Sequence, residues 1–132
     1  MSILLSKCTN KNIYISRSKL ISNNDERNRG LFTKKKIKKN KNILICPIIP
    51  INIKDYTVLE NSKHELGNYV FCWDEKDTCF VLGFGSLFNH SDNPNIEWYE
   101  DKEKKLMYFY TSKKIKKDEE LLINYGESWF TS

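Results

Sequence analysis

From Gly83 to Asn95 the chain reads GFGSLFNHSDNPN, and from Asp118 to Gly126 it reads DEELLINYG. The first stretch sets three hydrogen-bonding residues, Asn89, His90 and Ser91, directly after the apolar Leu87 and Phe88. Alone, such a cluster reads as a turn that satisfies its own polar groups, and Asn93-Pro94 is an ordinary turn signal. The second stretch is an acidic start, an apolar run and then Tyr125 before a glycine. Alone, that is an ordinary strand end. Gly83 and Gly85 flank Phe84 and supply backbone freedom ahead of the Asn89 turn. A lone Gly-x-Gly outside a strand–turn–helix context does not make a phosphate loop.

The surrounding segments predict short strands between polar turns. Asn12 to Arg17, Lys41 to Ile45, Tyr69 to Trp73 and Cys79 to Leu82 alternate apolar and polar residues in whole or part. Met107 to Tyr110 and Leu121 to Tyr125 are rich in strand formers. Turn signals separate them at Asn23-Asn24-Asp25, Lys39-Asn40, Asp74-Glu75-Lys76 and Asp101-Lys102. Helix is confined to a short piece within Lys54 to His64 and a turn or two within Gly85 to His90. The expected architecture is mainly β, with small curved sheets in one domain spanning residues 1–132.

The 132 residues include seven Phe, seven Tyr and three Trp, too many core formers for a disordered tail. No apolar run reaches the roughly 18 residues of a membrane span. Met1 to Asn10 has neither a long apolar stretch nor a cleavage site, so export is not expected. Cys8, Cys46, Cys72 and Cys79 then read as reduced thiols in the cytoplasm or nucleus. No pair is spaced as CxxC, and His64 and His90 are the only histidines, so no structural metal is expected.

Lys, Ile and Asn number 19, 14 and 14, against three Arg. An AT-rich coding sequence gives that bias, as does selection for nucleic-acid binding. Whatever its origin, the net charge of +5 favours acidic partners. Two basic runs carry much of it: KKKIKKNK from Lys34 to Lys41 and KKIKK from Lys113 to Lys117. Each reads either as a solvated turn pinned by one inward residue, Ile37 or Ile115, or as a patch facing nucleic acid or substrate.

Taken together, the opening stretches are far more specific than either alone. Asn89, His90, Ser91, Pro94 and Asn95, then Glu120-Leu121 leading to Tyr125, resemble the ordered motifs of the SET-domain protein lysine methyltransferases. Asn28-Arg29-Gly30-Leu31-Phe32, followed by Ile37 to Asn40, resembles that family's opening Gly-x-Gly turn, with Asn28 in place of the first glycine. The resemblance covers about residues 13 to 130. It implies the SET fold, in which the C-terminal segment threads beneath a loop in a knot-like crossing. It also implies S-adenosylmethionine as cofactor and a lysine amine as methyl acceptor.

Site residues follow from the resemblance. Asn28, Arg29 and Gly30 would offer backbone groups to the methionine part of the cofactor. Asn89 would hold it by its side chain and His90 largely through its backbone. Tyr69 would border both cofactor and lysine channel, or else be a core strand tyrosine. Tyr125 would be the catalytic tyrosine. Trp98 and Ile123 fall where relatives set channel width. Trp129 and Phe130 would cover the adenine or merely clasp the tail.

The resemblance implies a protein substrate with a lysine on a flexible segment, such as a histone tail. The charges of Glu97, Glu100, Asp101 and Glu103 read either as a local acidic lip for such a basic tail or as a solvated hairpin. Some minimal relatives pair as homodimers. Two rivals stand beside the enzyme: a catalytically silent SET module that binds peptide or chromatin, and a basic β-barrel that binds nucleic acid.

Overall fold

The computed structural model describes residues 7–19, 29–63, 65–74 and 77–125. Its elements are strands β1 (Ile13–Arg17), β2 (Arg29–Thr33) and β3 (Asn42–Ile51), helix α1 (Ile53–Asn61), strands β4 (Val70–Cys72), β5 (Thr78–Val81), β6 (Asn89–His90), β7 (Ile96–Asp101), β8 (Leu106–Thr111) and β9 (Glu120–Ile123). Short 3-10 turns fill Glu65–Tyr69 and Gly83–Leu87. The mainly β expectation holds. β2 and β7 were not legible as strands from periodicity, and β3 runs well past the expected Ile45.

Two sheets share one core. The smaller has the order β1-β2-β9-β6 and the larger β4-β5-β3-β8-β7. Within the larger sheet β3 changes partner midway: Asn42 to Pro47 pair with β8, and Ile48 to Ile51 pair with β5. Each half therefore has a paired neighbour on one side, which lets Pro47 and Pro50 sit in the longest strand although neither donates to a ladder. Leu44, Cys46, Cys79, Ile96, Met107, Phe109, Leu121 and Ile123 are buried side by side in the core. Burial pushes the Cys46 and Cys79 thiols up to about 12, so both remain protonated packing groups.

The smaller sheet places the C-terminal motif. β9 runs antiparallel to β2 and parallel to β6, so it lies between two elements distant from it in sequence. The loop after β6 is laid across β9. The Ser91 amide donates to the Ile123 carbonyl (2.8 Å), and the Asn95 amide donates to that of Leu122 (3.1 Å). This is the threading that the resemblance implied. Gly83 opens the segment leading to β6 with φ of 73°, and Cys8 packs where its side chain would be. Glycine alone meets both demands.

The turns before β3 and before β9 are pinned from below by two buried threonines, Thr33 and Thr111. The Thr111 hydroxyl donates to the Lys38 carbonyl (2.6 Å) and accepts from the Lys41 amide (2.9 Å). Thr111→Val keeps the volume and strips both bonds, leaving two backbone groups unserved. It should cost about 1–3 kcal/mol, read as a lower urea midpoint. An unchanged midpoint would mean the hydroxyl does not hold the turn.

Candidate active site

Glu120 begins β9 and is buried, an uncommon place for a carboxylate unless its oxygens are served. Here they are. The Ser18 hydroxyl lies 2.9 Å from both oxygens, the Lys19 amide donates at 3.3 Å, and the Asn89 side-chain amide donates at 3.0 Å. The same Asn89 nitrogen donates to the Arg29 carbonyl at 2.9 Å. Residues from β2, β6 and β9 thus converge on one cluster of mixed donors and acceptors. Gly30 is buried within it. A methyl group there would lie 2.8 Å from the Asn89 nitrogen and would strike the Glu120 carboxylate.

The neighbouring His90 fixes the approach of Tyr125. The Tyr125 amide donates to His90 Nδ1 (3.0 Å), so the ring proton sits on Nε2, 3.1 Å from the Asp92 carboxylate. The two rings lie 5.1 Å apart. The Tyr125 hydroxyl donates to the Phe88 carbonyl at 2.7 Å. Burial, and secondarily the nearby Tyr69, hold this phenol above its ordinary pKa, so it stays protonated near neutral pH.

Aromatic rings pack against the Tyr125 ring and beyond it. Phe71 meets Tyr125 edge-on at 6.3 Å and Trp98 edge-on at 5.8 Å. A hollow of about 230 Å³ lined by Pro94, Ile96, Glu97, Trp98 and Asn124 opens next to Tyr125 in sequence. Such a constellation can desolvate a cation-forming group while one fixed hydroxyl orients it.

Of the residues singled out from sequence, Arg29, Gly30 and Asn89 meet around Glu120, while Tyr69, His90 and Tyr125 meet at the aromatic wall. Trp98 is half-buried against that wall. Ile123 is fully buried in the core, two residues before Tyr125. Asn28, Trp129 and Phe130 lie outside the described residues. Three contributors were missed. Glu120 belongs to a motif in the sequence but does not stand out there as a site residue, although a carboxylate heading an apolar strand is the signal. Phe71 looked like any strand aromatic. Asn95 was read only as motif. Its side chain donates to the Glu120 carbonyl (2.9 Å) and to the Glu119 carboxylate (2.9 Å), and accepts from the Leu122 amide (2.8 Å). That clamps β9 beside the site.

The SET domain family matches residues 28–126. The chain is 33% identical over 121 residues to a Schizosaccharomyces pombe histone-lysine N-methyltransferase specific for H3 lysine-37, covering 89% of this chain and 81% of that protein. Among solved structures it is similar to a Plasmodium falciparum protein described as a candidate histone methyltransferase, with a TM-score of 0.69, 34% identity, and coverage of 93% of this chain and 100% of that one. A chain of a humanized Chaetomium thermophilum Polycomb Repressive Complex 2 matches with a TM-score of 0.72 at 20% identity, covering 90% of this chain and 15% of its own length, a likeness of fold.

Gly30→Ala tests the cluster directly. Its methyl should displace Asn89 or Glu120 at a cost of about 1–3 kcal/mol, seen as a lower calorimetric unfolding midpoint. An unperturbed midpoint would show that the cluster is looser than these distances.

Proposed function

The chain belongs to the SET-domain family, and on that premise we propose that it is an S-adenosylmethionine-dependent protein-lysine N-methyltransferase acting on a histone in the nucleus or cytoplasm. The observation that carries the reading is the pairing of β9 with Asn89 and His90, after which Tyr125 packs against Phe71 and His90 with its hydroxyl fixed on the Phe88 carbonyl. The Arg29 carbonyl, the Asn89 side chain and the Glu120 carboxylate make a mixed acceptor and donor set. That set suits the charged amino-acid end of the cofactor, and Gly30 lets the Asn89 and Glu120 side chains close up against the backbone there. Bound there, S-adenosylmethionine would supply an electrophilic methyl group.

The remaining work falls to the chain itself. A free lysine has a pKa of about 10.4, so holding it neutral near pH 7 costs roughly 4 to 5 kcal/mol. Phe71, Trp98 and Tyr125 disfavour the ammonium form by excluding water. Tyr125 donates its proton to the Phe88 carbonyl, which turns its oxygen lone pairs away from that carbonyl to accept an N–H of the incoming amine. This fixes the direction of the amine lone pair, the orientation an in-line displacement requires. Because the phenol is held protonated, Tyr125 orients rather than deprotonates. The lysine proton leaves to water before transfer. Glu97, exposed beside Trp98 at the hollow, offers negative charge to a basic substrate segment.

Mass spectrometry of recombinant histones after incubation with the methyl donor tests the proposal, and a mass gain of 14 Da per methyl on lysine (about one CH2) is the expected product. Tyr125→Phe should lower kcat on the order of 100-fold while leaving donor affinity nearly unchanged. Equal labelling by the variant would remove the role given to this hydroxyl. The parent's kcat/KM should climb with pH toward about 10 as the substrate amine deprotonates. Since Tyr125 ionises above its ordinary range, it should impose no falling limb below that point. A decline beginning near neutrality would contradict a protonated, orienting tyrosine.

A further inference from the structure

The two lysine runs take no part in the chemistry above, yet the fold joins them. Ile37 and Ile115 form an antiparallel bridge in which each amide donates to the other's carbonyl at 2.9 Å. The contacts on either side repeat in mirror order. Asn40 donates to Thr111 and Asp118 donates to Thr33, both at 2.7 Å. Thr111 donates to Lys41 (3.0 Å), and Thr33 donates to Glu119 (3.3 Å). Asn40 and Asp118 close the two turns with φ of 64° and 62°. A local two-fold axis therefore passes between Ile37 and Ile115, relating Lys35, Lys36, Lys38 and Lys39 to Lys113, Lys114, Lys116 and Lys117.

Alternation along the bridge sends Ile115 into the core and leaves Lys36, Lys38, Lys114 and Lys116 exposed. These four face one another across the bridge, Lys36 by Lys116 and Lys38 by Lys114, and they line an open hollow of about 440 Å³ with the two isoleucines. Like charges set opposite one another repel. The nearby acids are engaged by other groups. Asp118 accepts the Tyr14 hydroxyl, and Glu119 accepts the Lys116 amide and the Asn95 side chain. Among the described residues, no lysine of this face is ion-paired with a carboxylate.

We propose that this face docks duplex DNA through its phosphates. Three features select that occupant. The cations are lysines, point charges suited to phosphate rather than to reading base edges. Among the described residues no aromatic ring lines the hollow, so these residues offer no stacking platform of the kind that captures single strands. The two-fold arrangement matches a duplex, whose two antiparallel phosphate strands are related by a dyad, as a single strand or an acidic peptide is not. The face lies beyond the ends of β2 and β9, roughly 15 to 20 Å along the strands from the Tyr125 site, so both sites can be filled at once. The surface also answers a difficulty of charge. A protein of net charge +5 is not drawn to a basic histone tail, but it is drawn to the DNA wrapped around that histone. Identifying the DNA as that of the nucleosomal substrate rests on the proposed enzymatic reading; the binding itself does not.

Fluorescence anisotropy with a 20-base-pair duplex of arbitrary sequence tests the surface. With about four phosphates neutralised, affinity should fall roughly 150-fold between 50 and 200 mM salt. The variant K36E/K38E/K114E/K116E should lose most of this binding and its salt dependence. K36Q/K38Q/K114Q/K116Q should show the same direction with less repulsion. Reversal at Lys54, Lys63 and Lys104, on other elements, should leave binding within threefold. A single strand of equal length and polyglutamate should each compete at least tenfold less well than duplex. Retained duplex binding in both quartet variants, a flat salt dependence, or equal competition by polyglutamate or single strand would overturn the proposal. Methyl transfer to a histone peptide should be unchanged in the quartet variants and transfer to nucleosomes reduced. A parent without methyl transfer to any histone would overturn the enzymatic reading and leave the DNA result standing.

Discussion

The structure turns on the clamp that Asn95 places on β9. Three hydrogen bonds of one buried side-chain amide hold the strand and its lead-in residue in the slot between β2 and β6. Everything chemical follows from the slot being filled. Glu120 enters the strand at the point where Asn89 and Ser18 can serve its oxygens. Five residues on, Tyr125 leaves the strand with its amide captured by His90. Buried hydrogen bonds of this kind contribute little net energy each, but losing one strands its partner in a place water does not reach. Their value is in specifying one register: a slip of a single residue would turn Leu121 and Ile123 outward and remove Tyr125 from its wall.

The same network explains why the site tolerates no side chain at residue 30. Carboxylate, amide and backbone carbonyl approach so closely that the glycine is demanded by packing rather than by its dihedral angles. Around Tyr125 the logic is inverted. There the polar atoms are few, the walls are rings, and the phenol is kept neutral by burial.

Much of this was legible in the sequence because the chemistry sits in contiguous motifs. Asn89-His90-Ser91 and Tyr125 could be read as partners through their resemblance to the ordered motifs of the SET-domain family, and the strands rich in Ile, Val, Tyr and Phe announced themselves by composition. β2 and β7 did not, because RGLFT buries four consecutive residues and IEWYED fully buries only Ile96, so neither alternates as a half-buried strand does. Glu120 escaped notice as a site residue because its meaning depends on what lies across the sheet. The lysine runs were visible as two separate turns. Their joint meaning required a bridge between residues whose separation in the chain carries no local signal.

Threading also fixes an order of assembly. Since β9 follows in the chain every element it pairs with, β2 and β6 must hold open edges until it is synthesised, and the pocket they form remains incomplete for that time. Such long-range closure is slow compared with local pairing. The larger sheet contains no part of β9, so its strands can pair while the slot between β2 and β6 is still empty.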